Sequence, residues 1–314
     1  MIRVGAVNID TSHPMGFADA MTKLGGRMGY VGVYNDSFRG DAEVEGFIRR
    51  YGLEKRCGSL EELAQMCDIG FIQGCDWDDH LRCAEPFLRL GKPVFLDKPA
   101  VGNLADCRRV RQLVEEGAVI IGSSSARYAY ELQEFLSRPV EERGEIVHVS
   151  GTAGVDEFNY GIHIVEALGG LLGQGAEEVR WVGRSDAGGM YSESYFVRFA
   201  SGCGGVYHTF TGVWQPFAIT VMTTKATYQF MLDSNRLYQA LMEQICLYME
   251  GKPNLLVGPE ALLESVEIML AGAASRARGG APVRLEELDE AGPAYDGRRF
   301  WTEYRAASGP MYAL

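Results

Sequence analysis

Two stretches of this chain carry residue types suited to moving protons and charge. Gly91-Lys92-Pro93-Val94-Phe95-Leu96-Asp97-Lys98-Pro99 is a short apolar run ending on a carboxylate, an ammonium and a proline. A buried strand that stops there leaves Lys98 at the mouth of an α/β sheet, where ligands bind. Tyr160-Gly161-Ile162-His163 puts an imidazole just after a glycine, at the start of a predicted helix. A fixed cation steadies an oxygen as negative charge develops on it. An imidazole titrating near neutrality can take or return that oxygen's proton. The structural alternatives are a surface lysine in a βα turn capped by Asp97, and a helix-start histidine satisfied by backbone groups.

The elements that must position these residues are legible as rhythm. Up to about Ser125, short apolar runs alternate with helix-period segments, the pattern of βαβ units and a parallel sheet. Strands are predicted at Ile2–Ile9, Tyr30–Tyr34, Asp68–Gln73, Val94–Leu96 and Ala118–Gly122. A helix is predicted from Asn103, an N-cap residue, to Gly117, and another over Asp79–Leu90 that Pro86 should kink or shorten. After Ser125 the runs Glu145–Gly151, Val179–Gly183, Ser194–Ala200, Val206–Thr211, Phe217–Thr224 and Ala226–Leu232 read as strands with partial alternation. The glycines of Ser201–Gly205 suggest a hairpin. Helices follow at Leu237–Met249 and Pro259–Ala274, predicted to pack back on the first domain. The fold class is thus an α/β Rossmann-like doubly wound domain (1–125) followed by an α+β domain with a mostly antiparallel open sheet (126–290). The aromatic tail 291–314, with Phe300, Trp301, Tyr304 and Tyr312, should dock on the body or on a neighbouring subunit.

Composition narrows the function. The 314 residues include 46% hydrophobic and 23% charged ones, with a formal net charge of −12. Such acidity argues against nucleic acid or an anionic membrane as partner, because phosphates call for clustered Lys and Arg. Seven cysteines without a C-x-x-C pair indicate neither a disulfide framework nor a zinc site. The five histidines show no metal-ligand spacing, so no metal is expected. Strand-like sequence from Ile2 leaves no space for a signal peptide, and a reducing cytoplasm is the expected location. Trp214, Tyr207 and Phe210 read as core or sheet-face packing rather than a sugar platform.

The order of a Rossmann-like domain, Asp97-Lys98-Pro99, and Gly161-Ile162-His163 ahead of an open sheet resembles the glucose–fructose oxidoreductase, inositol dehydrogenase and MocA (Gfo/Idh/MocA) family. His80 upstream, Glu166 three residues after His163, and the closing run Ala281–Glu286 add to a likeness spanning roughly residues 1–290. The resemblance implies an NAD(P)-dependent oxidoreductase acting on sugars, polyols or cyclitols. It implies Lys98 between nicotinamide and substrate, His163 as acid or base, and a homodimer or homotetramer formed through the open sheet.

Two departures qualify it. The family's usual Asp four residues before the His is Asn159 here, which can orient a group but cannot carry charge; Asp156 and Glu157 lie close enough in sequence to substitute. The glycine-rich loop after strand one is Gly5-Ala6-Val7-Asn8-Ile9-Asp10-Thr11-Ser12-His13-Pro14-Met15-Gly16, with Asn8, Asp10 and His13 at the glycine positions. Thr11 and Ser12 offer hydroxyl donors, and Gly16 close helix–sheet packing. Asp36, at the interval expected of a ribose-binding acid, favours NAD over NADP. Asp76, Trp77 and His80, with Asp97, Lys98 and Pro99, complete the expected cofactor contacts. Arg127, Asp156 and Tyr160 are placed on the substrate side, Arg127 alternatively tying the domains together. Because the loop is altered, two further readings stand beside the dehydrogenase: a cofactor-independent proton-transfer enzyme, and a catalytically silent ligand-binding module.

Overall fold

The computed structural model describes residues 1–122 and 124–311. The first part alternates β1 (Ile2–Val7), α1 (His13–Thr22), β2 (Met28–Tyr34), α2 (Asp41–Tyr51), β3 (Lys55–Arg56), α3 (Leu60–Met66), β4 (Ile69–Ile72), α4 (His80–Arg89), β5 (Val94–Leu96), α5 (Leu104–Glu115) and β6 (Ile120–Gly122). These strands form one parallel sheet in the order β3-β2-β1-β4-β5-β6. Its central strands are buried along their length because helices cover both faces, hence their unbroken apolar runs. Strand order reverses between β1 and β4, so a crevice opens at their C-terminal ends. Both signature stretches and the altered loop lead to that crevice. Asn103 caps α5 as expected, its side chain accepting from Asp106 N. Helix α4 carries Pro86 in its interior and runs over His80–Arg89, beginning after a 3-10 turn over Trp77–Asp79.

The second part comprises α6 (Tyr130–Ser137), α7 (Val140–Arg143), β7 (Ile146–Ala153), α8 (Gly161–Leu172), β8 (Ala176–Ala187), β9 (Met190–Phe199), β10 (Gly204–Thr211), β11 (Ala218–Thr223), β12 (Thr227–Met231), α9 (Leu237–Met249), α10 (Pro259–Ala277), β13 (Val283–Arg284) and α11 (Gly297–Ala307). Its seven-stranded sheet has the order β12-β11-β7-β10-β9-β8-β13, antiparallel except for the β7–β10 pair. Alternation sorts the faces: Val149, Tyr195, Val197, Tyr207, Ile219 and Val221 are buried on the side of α8 and α10, and the other side is half-open. Trp214 is 65% exposed after β10 and packs in no core, contrary to expectation; Tyr207 is buried as expected.

The late helices join the two sheets. Helix α9 lies on α1, where Gly16 has no side chain because a Cβ there would sit 2.5 Å from the Tyr238 ring. Gly16 thus serves a helix–helix contact, not the helix–sheet contact expected. Helix α10 ties to α5 by Arg111 Nη1–Glu267 Oε1 at 2.6 Å. The tail docks on its own chain: Tyr295 N donates to Gly102 O, and Phe300 packs on Trp77 with centroids 5.0 Å apart. Tyr312 lies outside the described residues. No helix among the described residues is long and apolar enough to cross a membrane.

Candidate active site

Strand β5 ends at Leu96, and the next three residues turn into the crevice. Lys98 is buried, and its Nζ donates to both Asn159 O and Asn159 Oδ1 at 2.9 Å. An ammonium has three N–H donors, so one remains for another oxygen. Burial lowers the Lys98 pKa, opposed by the charges of Asp97 and Asp156. Asp156 is half-buried, and the loss of solvent raises its pKa. It accepts from Tyr160 N at 3.2 Å and from Asn159 Nδ2 at 3.4 Å. Asn159 thereby links carboxylate to ammonium through an amide. The Lys98 ammonium also lies 5.4 Å from the Tyr160 ring centroid.

Helix α8 opens at Gly161, and its first turn carries His163 inward. Gly161 is needed there, since a Cβ would sit 2.9 Å from Thr209. His163 Nδ1 is 2.5 Å from Ser124 Oγ, and the ring is flanked by Tyr160 and Phe217. Burial, then the charges of Lys98 and His13, push the His163 pKa well below the ordinary imidazole value. At neutral pH this is a neutral ring that can accept a proton. On the opposite side, His13 Nδ1–H donates to Asp97 Oδ2 at 2.5 Å. A small cavity of about 20 Å³ lies between Thr11, His13, Cys75, Trp77, Asp97, Lys98, Pro99 and Asn159.

A larger cleft of about 590 Å³ borders this one at Gly74. Asn8, Asp10, Asp36, Asp76 and His80 line it, as does the α4 residue Arg82. Asn8 holds a positive φ of 61°, a conformation open to asparagine. Its Oδ1 accepts from Asp36 N at 3.0 Å, pinning the β1 loop to the end of β2. Asp10 is buried and its Oδ2 accepts from Cys75 N at 3.0 Å; burial raises its pKa. Asp36 is paired with Arg82 at 2.8 Å.

Not every expected residue reaches a ligand position. His80 edges the cleft, yet its two ring nitrogens lie 2.9 Å from Ala100 O and 2.8 Å from Gly74 O. It is a strut between the loops after β4 and β5. Arg127 is buried against Glu166 of α8, Nε–Oε2 2.6 Å, with Gly169 leaving space for its guanidinium. The pair fixes the turn after β6 to α8. Ser12 is exposed at the start of α1, where its side chain makes no capping bond. Trp77 is 3% exposed, its Nε1–H donating to Tyr295 O at 2.7 Å.

Sequence reasoning missed three contributors. Ser124, in the turn after β6, orients His163. Tyr238, on a helix far along the chain, packs against His13 with centroids 5.3 Å apart. The third is α11, whose Arg298, Trp301 and Arg305 line the larger cleft. Only the aromatic content of the tail signalled that it docks.

The cleft residues fit part of a dinucleotide. A carboxylate at the end of β2, arginines and a cleft of ligand size suit a ribose and phosphates. The inner cavity is smaller, with room for about one water.

No protein-family model and no curated protein matches the chain. Solved structures match its fold over nearly its whole length. A protein of Sinorhizobium meliloti assigned as a myo-inositol dehydrogenase has a TM-score of 0.77 at 17% identity, covering 91% of this chain and 100% of its own. An oxidoreductase of Thermotoga maritima has 0.73 at 20%, covering 91% and 98%. The scyllo-inositol dehydrogenase of Lactobacillus casei, solved with NAD(H) and scyllo-inositol, has 0.74 at 12%, covering 91% and 100%. At these identities the likeness establishes the two-part fold: a Rossmann-like parallel sheet and a second, mixed sheet.

Proposed function

We propose that the protein is an NAD(P)-dependent oxidoreductase that interconverts a hydroxyl and a carbonyl on a sugar, cyclitol or related small molecule. The observation that carries this reading is the convergence of the Lys98 ammonium and a neutral His163 beside the switch-point crevice, next to a cleft with Asp36 at the end of β2. The similar folds of an oxidoreductase and two proteins named as inositol dehydrogenases agree with it.

Asn8, Asp36 and Asp76 would hold the ribose and phosphate part of the cofactor, and Thr11, His13 and Pro99 would border its nicotinamide end. The nicotinamide ring, when bound, accepts or returns the hydride. With Nδ1–H donated to Ser124, His163 Nε2 carries the lone pair that takes the hydroxyl proton. The free N–H of Lys98 stabilises the resulting oxygen, and Asn159 fixes the direction of that donor. Tyr160 and Asp156 would set the substrate side. NAD is the preferred cofactor in this reading, because Asp36 repels a 2′-phosphate. A dimer or tetramer through the half-open sheet and a cytoplasmic location, congenial to seven unpaired thiols, belong to the same reading. Light scattering that finds only monomer at micromolar concentration would contradict the assembly.

The test is absorbance at 340 nm with NAD⁺ and a panel of sugars, polyols and cyclitols. Wild-type protein should reduce NAD⁺ with one class of them. Lys98→Met should stay folded and lose roughly a hundred- to thousandfold in kcat. Normal kcat in Lys98→Met, or turnover by cofactor-stripped protein, overturns the reading.

A further inference from the structure

Helix α11 lies along the outer cleft, and the reaction scheme above does not use it. Its Arg298, Trp301 and Arg305 all line the cleft, spaced three and four residues apart and so on one helical face. The Trp301 ring is fixed: Nε1–H donates to Ser37 Oγ at 2.7 Å, and the ring meets Phe38 with centroids 5.6 Å apart. The guanidinium carbons of Arg298 and Arg305 lie 4.1 and 5.3 Å from the Trp301 centroid, which are cation–π distances. The start of the helix is anchored by Asp78 Oδ2, which accepts from Gly297 N at 2.8 Å and Arg298 N at 3.3 Å.

The charges of the cleft are unevenly spent. Arg82 bridges Asp36 and Asp79. Arg39 is committed to Glu43 and to the main-chain oxygens of Asp10 and Gly309. Arg298 reaches Asp76 only at 3.5 Å and stays 67% exposed. Among the described residues, Arg305 is the cleft arginine with no carboxylate within ion-pair distance. In the β1–α1 loop, His13 and Pro14 have no amide to offer an anion. Asp10 stands at one glycine position, His13 N is taken by Thr11 Oγ1, and Pro14 has no N–H.

We infer that α11 completes the dinucleotide site, with Arg305 and Arg298 meeting the ligand's phosphate oxygens in place of glycine-loop amides and Trp301 walling the adenosine side. This rests on the dinucleotide reading above. It assigns the phosphate contacts to residues near the C-terminus, far from the loop that makes them in a glycine-rich dinucleotide-binding fold.

Calorimetric titration of NAD⁺, ADP-ribose and adenosine into the full chain tests it, using wild type, Arg305→Gln, Arg298→Gln/Arg305→Gln and Arg305→Lys. A lost charge-assisted bond should weaken NAD⁺ and ADP-ribose by about tenfold or more in Arg305→Gln. Adenosine, which has no phosphate, should bind all variants alike, and Arg305→Lys should retain most of the affinity. Should the double variant bind NAD⁺ within about twofold of wild type, α11 does not touch the phosphates and the inference falls while the dinucleotide reading stands. An equal loss for adenosine overturns the phosphate assignment. Wild-type protein that binds neither NAD⁺ nor ADP-ribose overturns both.

Discussion

The Lys98 ammonium donates to both oxygens of Asn159, main-chain and side-chain, at 2.9 Å each. Asn159 in turn reaches the half-buried carboxylate of Asp156 through its Nδ2. An amide therefore stands between cation and carboxylate, and it positions the lysine rather than the histidine. Burial depresses the Lys98 pKa, and the neutral Asn159 adds no charge to oppose it.

Asn159→Asp converts that partner into an anion. It should raise the Lys98 pKa and move the alkaline limb of the rate profile to higher pH. Asn159→Ala should lose roughly ten- to a hundredfold in kcat, the worth of a hydrogen bond to a charged group. A pH–rate series on both variants checks this, and an unmoved alkaline limb in Asn159→Asp would contradict it.

His163 should stay neutral until well below its ordinary titration range. In the unfolded chain it titrates near 6.5; in the folded chain burial and Lys98 lower that value. Between the two values the unfolded state binds the extra proton, so this site's contribution to stability is present above about pH 6.5 and lost as pH falls. The His163 resonance should therefore titrate well to the acid side of the ordinary imidazole range. His163→Gln should flatten the fall of Tm below pH 6.5.

Ser124→Ala removes the group that orients His163 and leaves the fold intact. The expected cost is about tenfold in kcat with KM nearly unchanged, as for loss of a single neutral hydrogen bond in a positioning role. A change confined to KM would place Ser124 in substrate binding instead.

Arg127 separates structure from chemistry. Arg127→Met leaves the Glu166 carboxylate buried without this partner, at a cost of roughly 3–5 kcal/mol. Denaturant unfolding should show that loss, while the surviving folded protein keeps its KM. A raised KM with unchanged stability would restore Arg127 to the substrate side.

The sequence disclosed what is written locally. Apolar runs named β1, β4, β5 and β6, and Asn103 and Pro259 marked helix starts that the structure keeps. The apolar run ending on Lys98 and the glycine before His163 located the inner site, because a strand end and a helix start fix where a side chain goes. What escaped depends on long-range packing. Tyr238 meets His13 only because α9 folds over Gly16. The roles of Arg127 and His80 follow from partners such as Glu166 and Ala100 O, which lie 39 and 20 residues away. The two-residue strand β3 has too few residues to show a period.

The central claim is that a cleft without glycines at the expected positions still holds a nicotinamide dinucleotide beside Lys98. Isothermal titration of NAD(H) and NADP(H) into extensively dialysed, folded protein tests it most directly. Micromolar binding that favours NAD(H), with the preference relaxed in Asp36→Ala, is the predicted result. Folded protein that binds neither dinucleotide would contradict the claim.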